Sequence, residues 1–360
     1  MKPITVIGTG NSGFAMAVHL KSFGHCVYLW NRLGSDVFHD IQSGGGIISQ
    51  GVIKGRFMPD LMTNDISEAI DDVGLILVTV PANAHASVVK EMAPHLKDDQ
   101  TVILNPGRTF GALESYKVLR KNSDKNDVTI AETQTVLHTC RKIAPNSVIM
   151  LTCKNNVLLS TIDSARNHEI IGALPDCIRT HFVPASNTLE TSLGNVGMIL
   201  HCAPVLFNVG WIETKTTQFK YYYEGITPSV ASFLESLDLE RLEVAKRLGA
   251  NVPSVREWMK RAYGIEGTNL YQCIQANPSY AEIDAPNSLQ HRYLYEDIPT
   301  GLVPLEAIGK VLEIPMSLTT LVIDLGNKMV REDFRKNGRN ARALGLRGKM
   351  NSEDVIEAIS

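Results

Sequence analysis

The sequence predicts two domains: a doubly wound α/β domain over residues 1–186, followed by an all-α domain over residues 187–360. Three observations carry that expectation. In the first half, short apolar, β-branched runs alternate with stretches of helical periodicity, and each run stops at a polar tail. A glycine-rich turn separates the first run from the first helical stretch. From about Asn187 onward strand-like runs nearly vanish, and apolar residues recur at three and four positions.

The first element is Ile4 to Ile7, a run suited to a strand buried on both faces. It passes directly into Gly8-Thr9-Gly10-Asn11-Ser12-Gly13, and Phe14, Ala17, Val18 and Leu20 then mark a helix ending near Gly24. Strand, glycine turn and helix in this order form the opening of a Rossmann-type dinucleotide-binding unit. Gly8 permits the tight turn, Gly10 lets backbone approach a pyrophosphate, and Gly13 lets the helix pack on the strand. Asn11 and Ser12 open the helix, whose unpaired N–H groups and partial positive charge attract the anion. The second strand, Cys26 to Trp30, ends in Asn31-Arg32, with Arg32 placed 24 residues after Gly8. Folds that prefer NAD carry an acidic residue about 20 positions on, to grip the ribose hydroxyls. Here a guanidinium stands beside an amide, a pair suited to a 2′-phosphate, so NADP(H) is expected over NAD(H). Gly74 to Val80 is the next buried run, and it stops at Pro81-Ala82, which that position assigns to the cofactor. Thr101 to Leu104 ends in Asn105-Pro106-Gly107-Arg108-Thr109, Val128 to Ala131 ends in Glu132-Thr133, and Ser147 to Leu151 reads as a sixth strand.

In the second half, Thr188–Val209, Pro228–Leu248, Val255–Tyr263, Val303–Leu312 and Leu318–Met329 read as helices. Pro228 and Pro304 suit first helical turns, and Gly249 suits a stop. Two polar islands invite chemistry. In Leu193 to Asn208, His201 sits within an apolar helix, and Pro204, three residues on, removes a ladder hydrogen bond and frees a carbonyl. In His291 to Pro299, four ionisable side chains fall within seven residues among Tyr and Leu. A third segment, Phe219 to Glu224, suits a pocket wall, an inter-helix core or a subunit contact in a homodimer.

Composition narrows the function. The 35 Lys and Arg against 38 Asp and Glu leave no basic excess for nucleic acid. No apolar run reaches the ~20 residues that span a bilayer. The start, Met-Lys-Pro-Ile, enters a strand at once without a small-residue cleavage site, so a cytoplasmic protein is expected. Six scattered cysteines form no Cys-x-x-Cys pair and complete no zinc spacing, so no metal is expected and the thiols read as free.

Taken together the chain resembles the octopine/nopaline (opine) dehydrogenase family. The resemblance rests on Gly8–Gly13, on Val80-Pro81-Ala82-x-Ala84-His85 and on Asn105-Pro106-Gly107-Arg108-Thr109. It continues through Glu132-Thr133 to Arg141, Asn195-Val196-Gly197-Met198-x-x-His201-x-Ala203-Pro204, His291-Arg292-Tyr293-Leu294-x-Glu296-Asp297 and Gly301-Leu302-Val303-Pro304. It implies an NADPH-dependent reductive condensation of a 2-oxo acid such as pyruvate with the amine of an amino acid. His201 falls on the family's catalytic histidine, Asp297 on its partner carboxylate, and Arg292 on a residue for the oxo-acid carboxylate. Asn208 is assigned with Arg292 to substrate binding. Ketopantoate reductases and glycerol-3-phosphate dehydrogenases combine similar halves but place a catalytic lysine a few residues before an asparagine. The stretch from Thr191 to Gly210 holds no lysine; it has His201 seven positions before Asn208. A 2-oxo or 2-hydroxy acid oxidoreductase of that type, or a non-enzymatic NADPH sensor, is the alternative reading.

Overall fold

The computed structural model describes residues 2–125, 127–214 and 218–359. The chain divides into two compact units, residues 1–107 with 111–188, and residues 108–110 with 189–360.

The first unit contains twelve strands among the described residues: β1 (Ile4–Ile7), β2 (Val27–Trp30), β3 (Ile47–Gly51), β4 (Gly55–Phe57), β5 (Leu61–Thr63), β6 (Leu75–Val78), β7 (Thr101–Leu104), β8 (Thr129–Thr133), β9 (His138–Ala144), β10 (Ser147–Cys153), β11 (Val157–Thr161) and β12 (Phe182–Pro184). Eight form one sheet in the order β12-β11-β8-β7-β6-β1-β2-β5. The six strands from β8 to β5 run parallel, and β11 turns antiparallel to β8. Alternation along each strand explains the double winding. In β1, Ile4 and Val6 join the core that holds Phe14, Val18 and Leu20 of helix α1 (Asn11–Ser22). Ile7 faces the opposite core, with Val88, Val89 and Met92 of the His85–Met92 helix and Leu119 of the Gly111–Asn122 helix. A strand that is apolar on both faces needs helices on both faces.

The Ser147 run is not a sixth strand of that sheet. It is β10, in a separate four-stranded sheet of order β4-β3-β10-β9 that packs on α1. The β9–β10 pair is a hairpin whose outer residues, such as Arg141 and Ile143, are exposed. A half-wet hairpin has no continuous apolar run on β9, and so β9 escapes a search for buried strands.

The second unit is helical, with a single isolated strand bridge, Lys220 to Asp284, among the described residues. Its longest helix, Pro228–Arg247, starts with Pro228 in the first turn and with the Thr227 hydroxyl accepting from the Val230 N–H. It stops before Gly249, whose φ of 70° is left-handed. The Val255–Tyr263 helix has a reciprocal cap between Ser254 and Glu257. The stretch expected as one helix from Thr188 to Val209 is three: Thr188–Leu193, Gly197–Phe207 and Val209–Thr214. The first break carries Asn195, and its side chain, not the helical ladder, organises that corner.

Candidate active site

In the first unit the glycine turn fits a pyridine nucleotide. Gly8 has φ of 112°, a conformation L side chains rarely adopt. A Cβ on Gly13 would lie 1.9 Å from the Gly8 carbonyl oxygen, so α1 reaches the strand only through glycine. At Gly10 an added Cβ meets nothing within 4 Å, which leaves the approach to the α1 N-terminus open, and no side chain caps that helix. Anion binding is what such a terminus offers. Asn31 holds the turn by donating to the Thr9 hydroxyl. Arg32 is exposed, and its Nε and Nη2 lie 3.1 and 2.6 Å from Glu91 Oε2. Ala82 is buried and Pro81 exposed in the turn that follows β6. One residue of this corner was not legible in the sequence. The Lys142 N–H on β9 donates to Asn11 Oδ1 at 2.9 Å, and its ammonium reaches the Thr9 carbonyl at 3.5 Å and lies 4.4 Å above the Phe14 ring. Among the described residues no carboxylate lies within ion-pair distance of it, and burial pushes the ammonium pKa down against the weaker upward pull of Asp40.

In the second unit, His201 and Asp297 come together from 96 residues apart, with Nδ1 to Oδ2 at 2.8 Å. Asp297 is fully buried. The carboxylate fixes the tautomer: Nδ1 carries the proton and donates it, and Nε2 is left to accept from the Tyr222 hydroxyl at 3.2 Å. Burial holds the His201 pKa below its ordinary 6.5, although Asp297 pulls it upward, so the imidazole is neutral at pH 7. Tyr293 stacks on the ring with centroids 4.0 Å apart and planes 17° off parallel.

Pro204 explains how Tyr222 arrives. The Gly197–Phe207 helix runs through Pro204 without stopping, so the break expected from the sequence is confined to one missing N–H. The Leu200 carbonyl, four residues back, loses that donor. The buried Tyr221 hydroxyl lies 3.2 Å from the Leu200 oxygen and 2.6 Å from the His201 oxygen, and so fills the gap. Its chain neighbour Tyr222 is thereby set against the imidazole. Of the three uses open to Phe219–Glu224, the core reading is what burial supports: Phe219, Tyr221 and Tyr222 are buried, while Lys220 pairs with Glu282 and Asp284.

Behind the imidazole lies a buried charge network. Arg108 Nε is 3.1 Å from Glu296 Oε1, and its Nη1 is 3.2 Å from Asp297 Oδ1. Arg292 Nε is 2.8 Å from the other Glu296 oxygen. Two guanidiniums thus face two carboxylates; Arg108, Glu296 and Asp297 are buried and Arg292 is partly exposed, so their mutual attraction works against the cost of burying three charges. Asn195 Oδ1 accepts from the Gly197 N–H at 3.1 Å and from Arg108 at 3.4 Å. A Cβ on Gly197 would fall 2.4 Å from Arg108 Nη1, so the close approach requires glycine there. Arg292 is 38 % exposed at its side chain, and among the described residues no hydrogen bond occupies its two terminal nitrogens. A guanidinium fork of this kind can pair with a carboxylate through two parallel hydrogen bonds.

Asn208 has a different job from the one expected. Its amide donates to the Pro204 carbonyl at 2.8 Å and to the Gly225 carbonyl at 2.9 Å. Both amide hydrogens are consumed in closing the helix end and tying it to the Tyr222 segment, so Asn208 is a structural peg. Arg108 and Glu296 belong to the family motifs, yet the sequence assigns them no role. Their signal was adjacency, since one carboxylate beside Asp297 and burial in a Tyr-rich segment demand a cation from elsewhere.

Comparison with known proteins matches each half of the chain to a described family. Residues 3–109 match the family described as NAD-dependent glycerol-3-phosphate dehydrogenase N-terminus. Residues 184–330 match the NAD/NADP octopine/nopaline dehydrogenase alpha-helical domain. The chain is 40% identical over 352 residues to an opine dehydrogenase of Arthrobacter sp. (strain 1C), covering 96% of each. It is 23% identical over 363 residues to Protein ocs of Agrobacterium tumefaciens (strain Ach5), covering 100% of this chain and 99% of that one. Among solved structures, octopine dehydrogenase with NADH and L-arginine superposes with a TM-score of 0.72 at 18% identity, over 98% of this chain and 100% of that one. Yersinopine dehydrogenase with NADP+ bound gives 0.75 at 16%, over 99% and 97%. With a relative this similar along nearly its whole length, the chain belongs to the opine dehydrogenases, NAD(P)-dependent oxidoreductases.

Proposed function

We propose that this chain condenses a 2-oxo acid such as pyruvate with the amine of an amino acid and reduces the product with NADPH, in the cytoplasm. The observation that carries the reading is the neutral His201, oriented by Asp297 and set within one charge network with the unoccupied fork of Arg292.

The nicotinamide, when bound, supplies hydride to the carbon of the C=N bond. The protein's residues manage protons and orientation. Arg292 receives the oxo-acid carboxylate on its two terminal nitrogens and so fixes which face of the carbonyl is presented. His201 Nε2, exchanging its Tyr222 contact for the substrate, takes a proton from the substrate ammonium, and the freed amine attacks the carbonyl carbon. A second proton of that nitrogen passes to the new alkoxide and makes it a hydroxyl; Nε2 then returns its own proton to that hydroxyl, which leaves as water. Asp297 stabilises the imidazolium between those transfers. Tyr222, whose pKa burial pushes well up, remains a neutral hydroxyl and steers the lone pair of Nε2.

The test uses purified protein with NADPH, pyruvate and a panel of amino acids. NADPH is consumed only when both substrates are present; consumption with an oxo acid alone defeats the reading. In that assay Arg292→Lys is expected to raise the oxo-acid KM by roughly 10–100-fold, because one ammonium replaces a two-pronged charge-assisted contact. An unchanged KM places the carboxylate elsewhere.

On the cofactor side, Arg32 supports NADPH over NADH. Its pair with Glu91 is exposed and exchanges cheaply for a 2′-phosphate. Arg32→Asp is expected to weaken NADPH by about 10–100-fold, measured by fluorescence titration, with a much smaller effect on NADH. Equal losses for the two dinucleotides would place Arg32 away from the 2′-phosphate. Lys142, a cation without a carboxylate partner among the described residues, stands beside the glycine turn and belongs to the same phosphate-binding corner.

A further inference from the structure

A set of metal-type ligands gathers in the first unit, made of residues that the chemistry at His201 does not use. His19 in the last turn of α1 faces His138 on β9, with Nδ1 to Nε2 at 2.9 Å. Cys153 is the cross-strand partner of His138 in the β9–β10 register, so its thiol falls on the same face, 4.0 Å from His19 Nδ1. All three ligand atoms lie within 4.8 Å of one another. Both imidazoles are buried while the thiol is partly accessible, which gives an ion a way in. The 2.9 Å contact is a hydrogen bond in which one ring nitrogen donates to the lone pair of the other, so the two nitrogens already face one common point. His138 Nδ1 is buried and bonds to nothing among the described residues.

We propose that His19, His138 and Cys153 form a binding site for a late first-row divalent ion, zinc above all. Two imidazoles and a thiolate, with no carboxylate among them, suit a borderline-soft metal and not magnesium or calcium. Metal–nitrogen bonds of 2.0–2.1 Å and a metal–sulfur bond of about 2.3 Å in a tetrahedron put the nitrogens about 3.3 Å apart and the sulfur about 3.6 Å from each. From the present 2.9 and 4.0 Å, these two spacings change by roughly 0.4 Å, within reach of small side-chain rotations, and the third pair of ligand atoms lies within 4.8 Å. Binding forms two nitrogen–metal bonds and one sulfur–metal bond, and releases the Cys153 proton to solvent. The proton shared between the two rings moves to the outer nitrogen of its own ring, so both imidazoles stay neutral with their protons on the nitrogens that face away from the ion, which for His138 is the unpartnered Nδ1. A water completes the fourth position. Two further groups face the site: His181, whose ring centroid is 6.1 Å from that of His19, and the Lys154 ammonium, which bonds to the Val136 carbonyl. The ion would tie the last turn of α1 to the second sheet, so its role is structural; the proposal stands independently of the chemistry at His201.

The experiment strips the full-length protein with a chelator and titrates it with cobalt(II). The expected result is one saturable equivalent with tetrahedral ligand-field bands and a near-ultraviolet thiolate-to-cobalt absorption, all displaced by zinc. Cys153→Ser, at a partly accessible position, should lose the charge-transfer band. It should bind cobalt at least about 10–100-fold more weakly, since losing a ligand costs no less than losing a group that merely supports one. His19→Gln should weaken cobalt likewise, with far-ultraviolet circular dichroism showing that both variants fold. Absence of a saturable spectrum, or the same spectrum in Cys153→Ser, overturns the site.

Discussion

His201→Ala is expected to lower kcat by about 10²–10⁴-fold while the NADPH dissociation constant stays near its wild-type value. Nε2 is the one neutral, oriented proton acceptor in the buried array, and it owes that state to two opposing effects. Burial lowers its pKa, whereas the Asp297 carboxylate at 2.8 Å stabilises the protonated form. A ring with neither influence would titrate near its ordinary value but would lack a fixed tautomer. The glycine turn belongs to the other unit and shares no side chain with the array, which is why cofactor affinity serves as the control. Steady-state rates with both substrates saturating, alongside a fluorescence titration of NADPH, make the comparison. Full turnover in the variant would reduce His201 to a packed core residue.

Arg108→Met is expected to cost about 3–5 kcal/mol of stability, far more than the loss of an exposed ion pair would. Arg108 contributes its Nε to Glu296 and its Nη1 to Asp297, both carboxylates being essentially inaccessible. Methionine matches much of the volume, so the loss is electrostatic. Two neighbouring buried carboxylates would then lose one of the two guanidiniums that face them, which leaves charge buried without its counter-charge. Urea unfolding followed by circular dichroism measures the loss, and wild-type stability would show that the guanidinium is dispensable.

The first unit was largely legible because its signals are local. A buried parallel strand must be apolar at every position, and a turn that meets a pyrophosphate must be glycine where φ is positive or a helix crosses. Ile4 to Gly13 thus carries its own structure. The exceptions have one cause. The hairpin of β9 and β10 is wet on one side, and the order of strands within sheets is a long-range property. For that reason Ser147 to Leu151 reads as one more strand of the main sheet when it belongs to the second.

The site itself divides the same way. Motif resemblance named His201, Asp297 and Arg292, but residue types alone left the histidine as a core residue or a catalyst. Only the fold shows what the ring meets, a carboxylate 96 positions away at its Nδ1. Asn208 shows the reverse: a polar residue in a promising island whose amide the tertiary structure spends on two backbone carbonyls. Lys142 and the trio of His19, His138 and Cys153 were invisible for a further reason. Their partners lie more than a hundred residues apart along the chain, and no periodicity or spacing connects a helix to the strand that later covers it. The sequence by itself determined the class of each half, the glycine cradle and the identity of the chemically capable side chains. The tertiary structure alone decided which of them meet, because protonation state, charge balance and ligand geometry are properties of neighbours in space.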